Sequence, residues 1–313
     1  MLAELALVPD IFDCACHSSA EACDIHLNYL KEPLLNEVLV RDLRDGGWSA
    51  FVTKDLGRWH PKAKELIKQL RKYVRFRQFP AALPEEPDNN AAWCCEAVKS
   101  HEIEPVEGVI ACPDIAAAYD ARSIVCSVDK LTSRPWWQNR GSSARLARTT
   151  NEYVKTLRLV LAYANSLMFI DPHIDPLASH YAEFIRLLVA ARRNSVSPLI
   201  EIHRKHFPEG HDSFGRPYYP LPAEIEERFR KAWTSDIQTS GLSVDIFIWD
   251  QVHDRYLISN LIGVSVPYGF AISKDPTELT TWCRLSRKDR DDVQREYDPA
   301  AKRHGLIHHF RIS

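Results

Sequence analysis

The chain has 313 residues, 45% hydrophobic and 26% charged, with 40 Lys and Arg against 42 Asp and Glu for a formal net charge of −2. This is the composition of a soluble globular protein. The near balance of charge excludes a global attraction to nucleic acid or an anionic membrane, so any polyanion site must be a local patch. The length suits one large domain or two ordinary ones, and the absence of a long apolar run means that no membrane span is expected.

The run Met1 to Asp10 carries Glu4 inside a short apolar stretch and has no basic leader, so no secretory signal and a cytoplasmic location are expected. Cysteines at 14, 16, 23, 94, 95, 112, 126 and 283 then read as reduced thiols. Cys14-x-Cys16-His17 followed by Cys23 matches no common zinc spacing, and buried thiols are the better reading.

Helical spacing of Cys23, Leu27 and Leu30 predicts a helix over Ser19 to Leu30, which Pro33 should stop. Pro61 to Tyr73 reads as an amphipathic helix with Leu66, Ile67, Leu70 and Tyr73 on one face. Val74 to Phe79 alternates like a half-exposed strand, and Phe79 to Asn90, with three prolines, reads as an exposed loop. Val106 to Cys112 reads as a buried strand and Asp129 to Ser143 as irregular. This first region, 1–148, is α/β in character, without an assigned fold or role. Its last stretch, Arg134 to Arg148, carries Trp136 and Trp137 among four arginines. Such a mixture can hold phosphates and stack bases; equally, the two indoles can simply pack on the core.

From residue 149 the pattern sharpens. Thr150 is placed to cap a helix over Asn151 to Asn165, and Leu167 to Ile170 forms a short buried strand. A helix is expected over Leu177 to Asn194, a strand over Leu199 to Ile202, and a Pro-, Gly- and His-rich loop over 206–222. A helix from Ala223 to about Thr239 ends before Gly241, and strand Val244 to Trp249 follows. Strands alternating with helices, the strands nearly continuous in apolar residues, predict an α/β fold with a mostly parallel sheet covered by helices. The mixed-charge segment Arg284 to Arg303 reads as an exposed helix.

Ligand sites in such sheets lie beyond the carboxyl ends of the strands. There the chain places Asp171 and His173, then His203, Arg204 and Lys205, then His253, Asp254 and Arg255. Guanidinium and ammonium groups can hold nonbridging phosphoryl oxygens, while imidazoles attack or protonate. Plainer roles stand beside these: Asp171-Pro172 as a strand stop, His203 to Lys205 as a solvated turn, Asp254 and Arg255 as a surface pair.

The spacing His253-x-Arg255-x4-Asn260 resembles the His-x-Lys-x4-Asp motif of the phospholipase D superfamily, with Arg for Lys and Asn for Asp. Leu261 to Phe270, with Gly263 and Gly269, fits the strand-turn-strand that follows this motif. With Phe169 to His173 upstream, the stretch looks like single-motif bacterial members of uncertain or defence-related role. The resemblance covers about residues 150–313 and gives no account of the first half.

It implies a phospholipase D-like domain over 149–313 and a phosphodiesterase, most plausibly a nuclease, that needs no metal or cofactor. His253 takes the nucleophile's place, Arg255 the phosphate clamp's and Asn260 that of the orienting Asp. A second His is the general acid, supplied by His173 or His203 if the site is complete within one chain, and Asp171, His203, Arg204, Lys205 and Asp254 are expected to bind substrate. Arg keeps the charge of Lys but is not equivalent to it, and Asn stabilises an imidazolium less well than a carboxylate. A single motif further implies a homodimer that completes the site, or a subunit of a larger complex. The alternative is a degenerate member that keeps the fold and binds nucleic acid or protein without turnover.

Overall fold

The computed structural model describes residues 1–313 apart from 120, 194, 195 and 212. The chain divides into two compact units, Leu2–Gly141 and Ser142–Ser313, with Met1 grouped with the second.

In the first unit, β1 (Ala3–Leu7) leads through α1 (Ala20–Asn36) to β2 (Val38–Asp42). Then come α2 (Leu43–Lys54), α3 (Pro61–Lys72), β3 (Phe76–Phe79), α4 (Asn90–Ile103), β4 (Gly108–Ala111), α5 (Pro113–Ala117), β5 (Val125–Ser127) and α6 (Pro135–Gln138). The strands pair in parallel in the order β3-β2-β1-β4-β5. Strands buried on both faces need apolar residues at successive positions, and β2 and β4 are buried along their whole length. Ser19 and Asn89 cap α1 and α4, accepting the N–H of Ala22 and Ala92.

Pro33 does not stop α1, which continues to Asn36. The ring removes one hydrogen bond near the helix end, while Leu34 and Leu35 beyond it are buried in the core. Trp136 and Trp137 take the packing role: Trp136 lies over Gly108, where any side chain would collide with it, and buried Trp137 donates to the Tyr29 hydroxyl at 2.6 Å.

Within this apolar sheet the Glu4 carboxylate is fully buried between Arg41 of β2, at 2.8 Å, and Arg77 of β3, at 2.5 Å. Arg41 also donates to the carbonyls of Ser100 and Glu104, so its charge is met by oxygens on several sides. Removing one partner of a buried pair leaves an uncompensated charge in the core. Glu4→Gln is therefore expected to lower unfolding free energy by about 3–5 kcal/mol, read as an earlier urea transition of this unit. A transition within about 0.5 kcal/mol of the parent would contradict that arrangement.

The second unit contains β6 (Ser143–Ala147), α7 (Thr150–Tyr163), β7 (Ser166–Ile170), α8 (Phe184–Val189), β8 (Leu199–Lys205), α9 (Pro222–Ser240) and β9 (Val244–Trp249). It continues with β10 (Tyr256–Ser259), β11 (Gly263–Ser265), β12 (Leu279–Arg284), α10 (Arg287–Glu296) and β13 (Leu306–Ile312). Its sheet runs β13-β9-β8-β7-β10-β11-β12-β6 and is mixed. Strands β7, β8 and β9 are parallel neighbours at its centre, while β10 to β12, β6 and β13 pair antiparallel. The whole is α/β, and no helix among the described residues is long and apolar enough to cross a membrane.

One face of this sheet packs Phe169 against Phe184 of α8 and Phe270. Trp233 and Phe229 of α9 complete that layer. On the other face Met168, Ile170, Phe247, Trp249 and Ile258 cluster with Tyr297, next to α10. Differences from the sequence pattern are local. Thr149, not Thr150, caps α7. Only Phe184–Val189 of the expected Leu177 to Asn194 helix is α-helical, the stretch before it being turns, and Asn194 lies outside the described residues. Asp175, which accepts the N–H of Leu177, and Tyr181, committed to Asp171, hold those turns.

Candidate phosphate-binding edge of the second unit

Strand β7 delivers Asp171 to the carboxyl edge of the parallel centre. The residue is fully buried, and a buried carboxylate is costly unless its oxygens are occupied. Both are. Oδ2 accepts the Tyr181 hydroxyl at 2.7 Å and the Phe270 N–H at 3.0 Å, and Oδ1 accepts the His173 N–H at 3.0 Å. The Arg255 Nε stands 3.5 Å from Oδ1, an ion pair rather than a hydrogen bond. This close approach needs Gly269, whose φ of +62° is left-handed and whose added Cβ would strike the Asp171 carboxylate.

His173 follows on the turn and stacks on Phe207, with ring centroids 4.7 Å apart and planes 7° from parallel. Partial burial pulls its pKa down; Asp171 opposes this, while Arg255, His180 and Arg204 add to it. The ring is thus held neutral near pH 7, a state able to accept a proton.

Beside Phe207 lies a cleft of about 350 Å³ whose walls include Lys205, His206, Tyr219 and His253. His253 is exposed, and no described residue hydrogen-bonds its ring. The His206 Nε2 meets the Pro220 carbonyl at 2.8 Å, which makes Nε2 the protonated nitrogen of the neutral ring. The cleft thus gathers the imidazoles of His206 and His253 with the Lys205 ammonium, while His173 stacks on Phe207 of its wall and Arg255 stays with Asp171. Such groups can bind an anionic oxygen, accept a proton and return one.

Other residues expected at this site stand elsewhere. His203, Arg204 and Lys205 do not follow β8 but belong to it, because β9 pairs with all three and β7 pairs as far as His203. Alternation along the strand then sends His203 and Arg204 to opposite faces. His203, 1% exposed, stacks on Phe247 and Trp249 and accepts the Trp249 indole N–H at Nδ1, 3.0 Å away. Its Nε2 lies 3.6 Å from the Glu201 carboxylate, beyond hydrogen-bond reach. Arg204 is buried over the Phe229 ring, and desolvation lowers its pKa. Its Nε donates to the Lys205 carbonyl at 3.3 Å, and its charge is felt at His173.

Asp254 acts on the Tyr256 hydroxyl, away from the Asp171 to Arg255 pair. Asn260 sits at the far end of β10, where its Oδ1 accepts the Asn165 N–H at 2.7 Å ahead of β7. A strand running antiparallel to β7 lies between it and His253, so it cannot orient a group there.

His206, Phe207, Tyr219, Tyr181 and Gly269 were not singled out from the sequence as site residues. The first three lie in a loop with no periodic signal, and the Tyr181 and Gly269 contacts cross the chain over 10 and about 100 positions. A further gathering lies in the first unit, where strand winding reverses between β1 and β4. The Asp10 Oδ2 accepts the Cys112 N–H at 2.9 Å, and the Cys112 thiol lies 3.5 Å from the His17 Nε2. Burial raises Asp10 to about 6 and pushes the Cys112 thiol up. Among the described residues no group of three His, Cys, Asp or Glu could hold a metal ion.

No family model matches the chain, and no curated protein sequence matches it. Among solved structures, TrmBL2, an archaeal chromatin protein with a novel mode of DNA binding, aligns with 83% of this chain and 88% of its own at 10% identity. The TM-score is 0.30, a likeness that carries no argument about fold or function.

Two measurements check this geometry. Gly269→Ala must displace the Asp171 carboxylate and strain a left-handed residue, so a loss of about 1–3 kcal/mol in urea unfolding is expected; unchanged stability would refute the contact. His203 has a folded pKa below its ordinary 6.5 because burial disfavours the cation. The unfolded chain therefore binds more protons, and stability present above about pH 6.5 falls as pH drops toward the folded value. His203→Asn, which can still accept the indole N–H, should lose less melting temperature between pH 7.5 and 5 than the parent. Equal losses would show that this ring does not set the acid limb.

Proposed function

We propose that the cleft beside β8 binds and cleaves a phosphodiester without a metal, in a domain of phospholipase D-like kind. What carries the reading is that His206, His253 and Lys205, from segments far apart in sequence, line one cleft, with His173 stacked on Phe207 of its wall and Arg255 paired to Asp171 at the end of the neighbouring strand. In this scheme Lys205 and Arg255 hold the nonbridging oxygens. The His253 ring attacks phosphorus, a P–N bond forms as the P–O bond to the leaving group breaks, and the doubly protonated form of His206 gives the departing oxygen a proton from its Nδ1, its Nε2 being held by the Pro220 carbonyl. Water then displaces the imidazole, giving up its proton to the ring that acted as acid. Asn260 has no part in it, because its side chain serves the turn before β7.

One observation favours a second reading. No described residue orients the His253 ring, whereas a histidine nucleophile is ordinarily held by a hydrogen-bonded partner. A domain that only binds phosphodiesters, as a homodimer or as a subunit of a larger (for example defence) complex, would tolerate that freedom.

The test is turnover of bis(p-nitrophenyl) phosphate and of single- and double-stranded DNA and RNA in the presence of EDTA. Hydrolysis that persists with chelator and falls about 100-fold or more in His253→Ala is expected. Unchanged activity in that variant would overturn the mechanism. Binding with no turnover of any phosphodiester would favour the binding subunit.

A further inference from the structure

We infer that the aromatic rings of the segment joining β8 to α9, two of which (Phe207 and Tyr219) line this cleft, form a stacking wall for the bases of single-stranded nucleic acid. This names the substrate class of the site proposed above and rests on that reading. The segment joining β8 to α9 carries Phe207, Phe214, Tyr218 and Tyr219. Phe214 is 80% exposed, Tyr219 52% and Tyr218 40%. Several large rings left in water along one short segment are unfavourable for the folded state and suit a contact surface.

The rings are not loose. The Glu209 N–H donates to the Tyr218 carbonyl at 2.6 Å, and the Tyr218 N–H to the Gly210 carbonyl at 3.2 Å. A bridge joins His211 to Pro217, and the Tyr218 hydroxyl donates to Glu224 at 3.0 Å. The backbone therefore presents the rings outward instead of collapsing them onto the core.

Positive charge lies against their faces. The Lys205 ammonium sits 5.3 Å from the Phe207 ring centre and the Arg216 guanidinium 5.3 Å from that of Phe214. Of the neighbouring acids, Glu209 is neutralised by Arg228 at 2.7 Å and Asp250 receives the Gly305 N–H at 2.9 Å. Aromatic faces interleaved with cations beside a cleft suit a strand whose phosphates lie along the cations and whose bases stack on the rings. Duplex bases already stack on one another and offer no free face.

The probe is a fluorescent oligothymidylate of about twelve nucleotides, read by anisotropy against an abasic strand of equal length and against phosphatidylserine-containing vesicles. The natural strand is expected to bind about tenfold or more tightly than the abasic one. The double variant Phe214→Ala/Tyr219→Ala should erase that difference and leave abasic binding unchanged; a parental melting curve confirms that it folds. Equal affinity of the parent for both strands, or a difference that survives in the double variant, overturns the inference. So does vesicle binding that the double substitution removes while oligonucleotide binding stays. Base-dependent binding without hydrolysis leaves the stacking wall standing and removes the phosphodiesterase; hydrolysis of bis(p-nitrophenyl) phosphate without base preference does the reverse.

Discussion

Asp171 ends β7 out of reach of solvent, and its two oxygens collect groups from the turn after β7, from Tyr181, from the chain before β10 and from the turn at Phe270. An ionised carboxylate can stay buried only while those donors are in place. The carboxylate is therefore less a ligand for substrate than a fastener for what surrounds the cleft. It fixes the segment that carries His173, and through Arg255 it steadies the loop between β9 and β10 from which His253 projects. Gly269 is the steric condition for this, because any side chain there would occupy the carboxylate's own space.

Elements with a strong period or a sharp boundary could be read from the amino-acid order. Strand Val244–Trp249 and helix Pro222–Ser240, with its stop at left-handed Gly241, lie close to where pattern alone puts them. The end of β8 was not legible: His203, Arg204 and Lys205 look like a polar exit, yet pairing with β9 extends the strand through all three, with β7 pairing as far as His203. Turn chemistry around Asp175 and Tyr181 likewise overrode an apolar spacing that reads as one long helix. In both cases a tertiary contact outweighed local preference.

The site shows the same division. His253, Arg255, Asp171 and His173 were accessible from the rule that strand ends gather function. Asn260 was misplaced because motif spacing counts residues and ignores that four strand residues carry the chain away by a strand's length. The loop that supplies His206, Phe207 and Tyr219 has no periodicity, so its inward residues could be known only from the folded backbone. In the first unit, the meeting of Asp10, Cys112 and His17 depends on β1 and β4 lying side by side, although about 100 positions separate them.

The opposite facing of His203 and Arg204 bears on how the central strand finds its place. One face of β8 offers an aromatic slot between Phe247 and Trp249, and the other offers the ring of Phe229. Sliding β8 by a single residue would thrust a guanidinium into the slot and an imidazole beneath α9, reversing every apolar neighbour as well. Two polar residues that contribute little as hydrocarbon thus act as an alignment key, penalising each misthreaded pairing among three otherwise similar parallel strands.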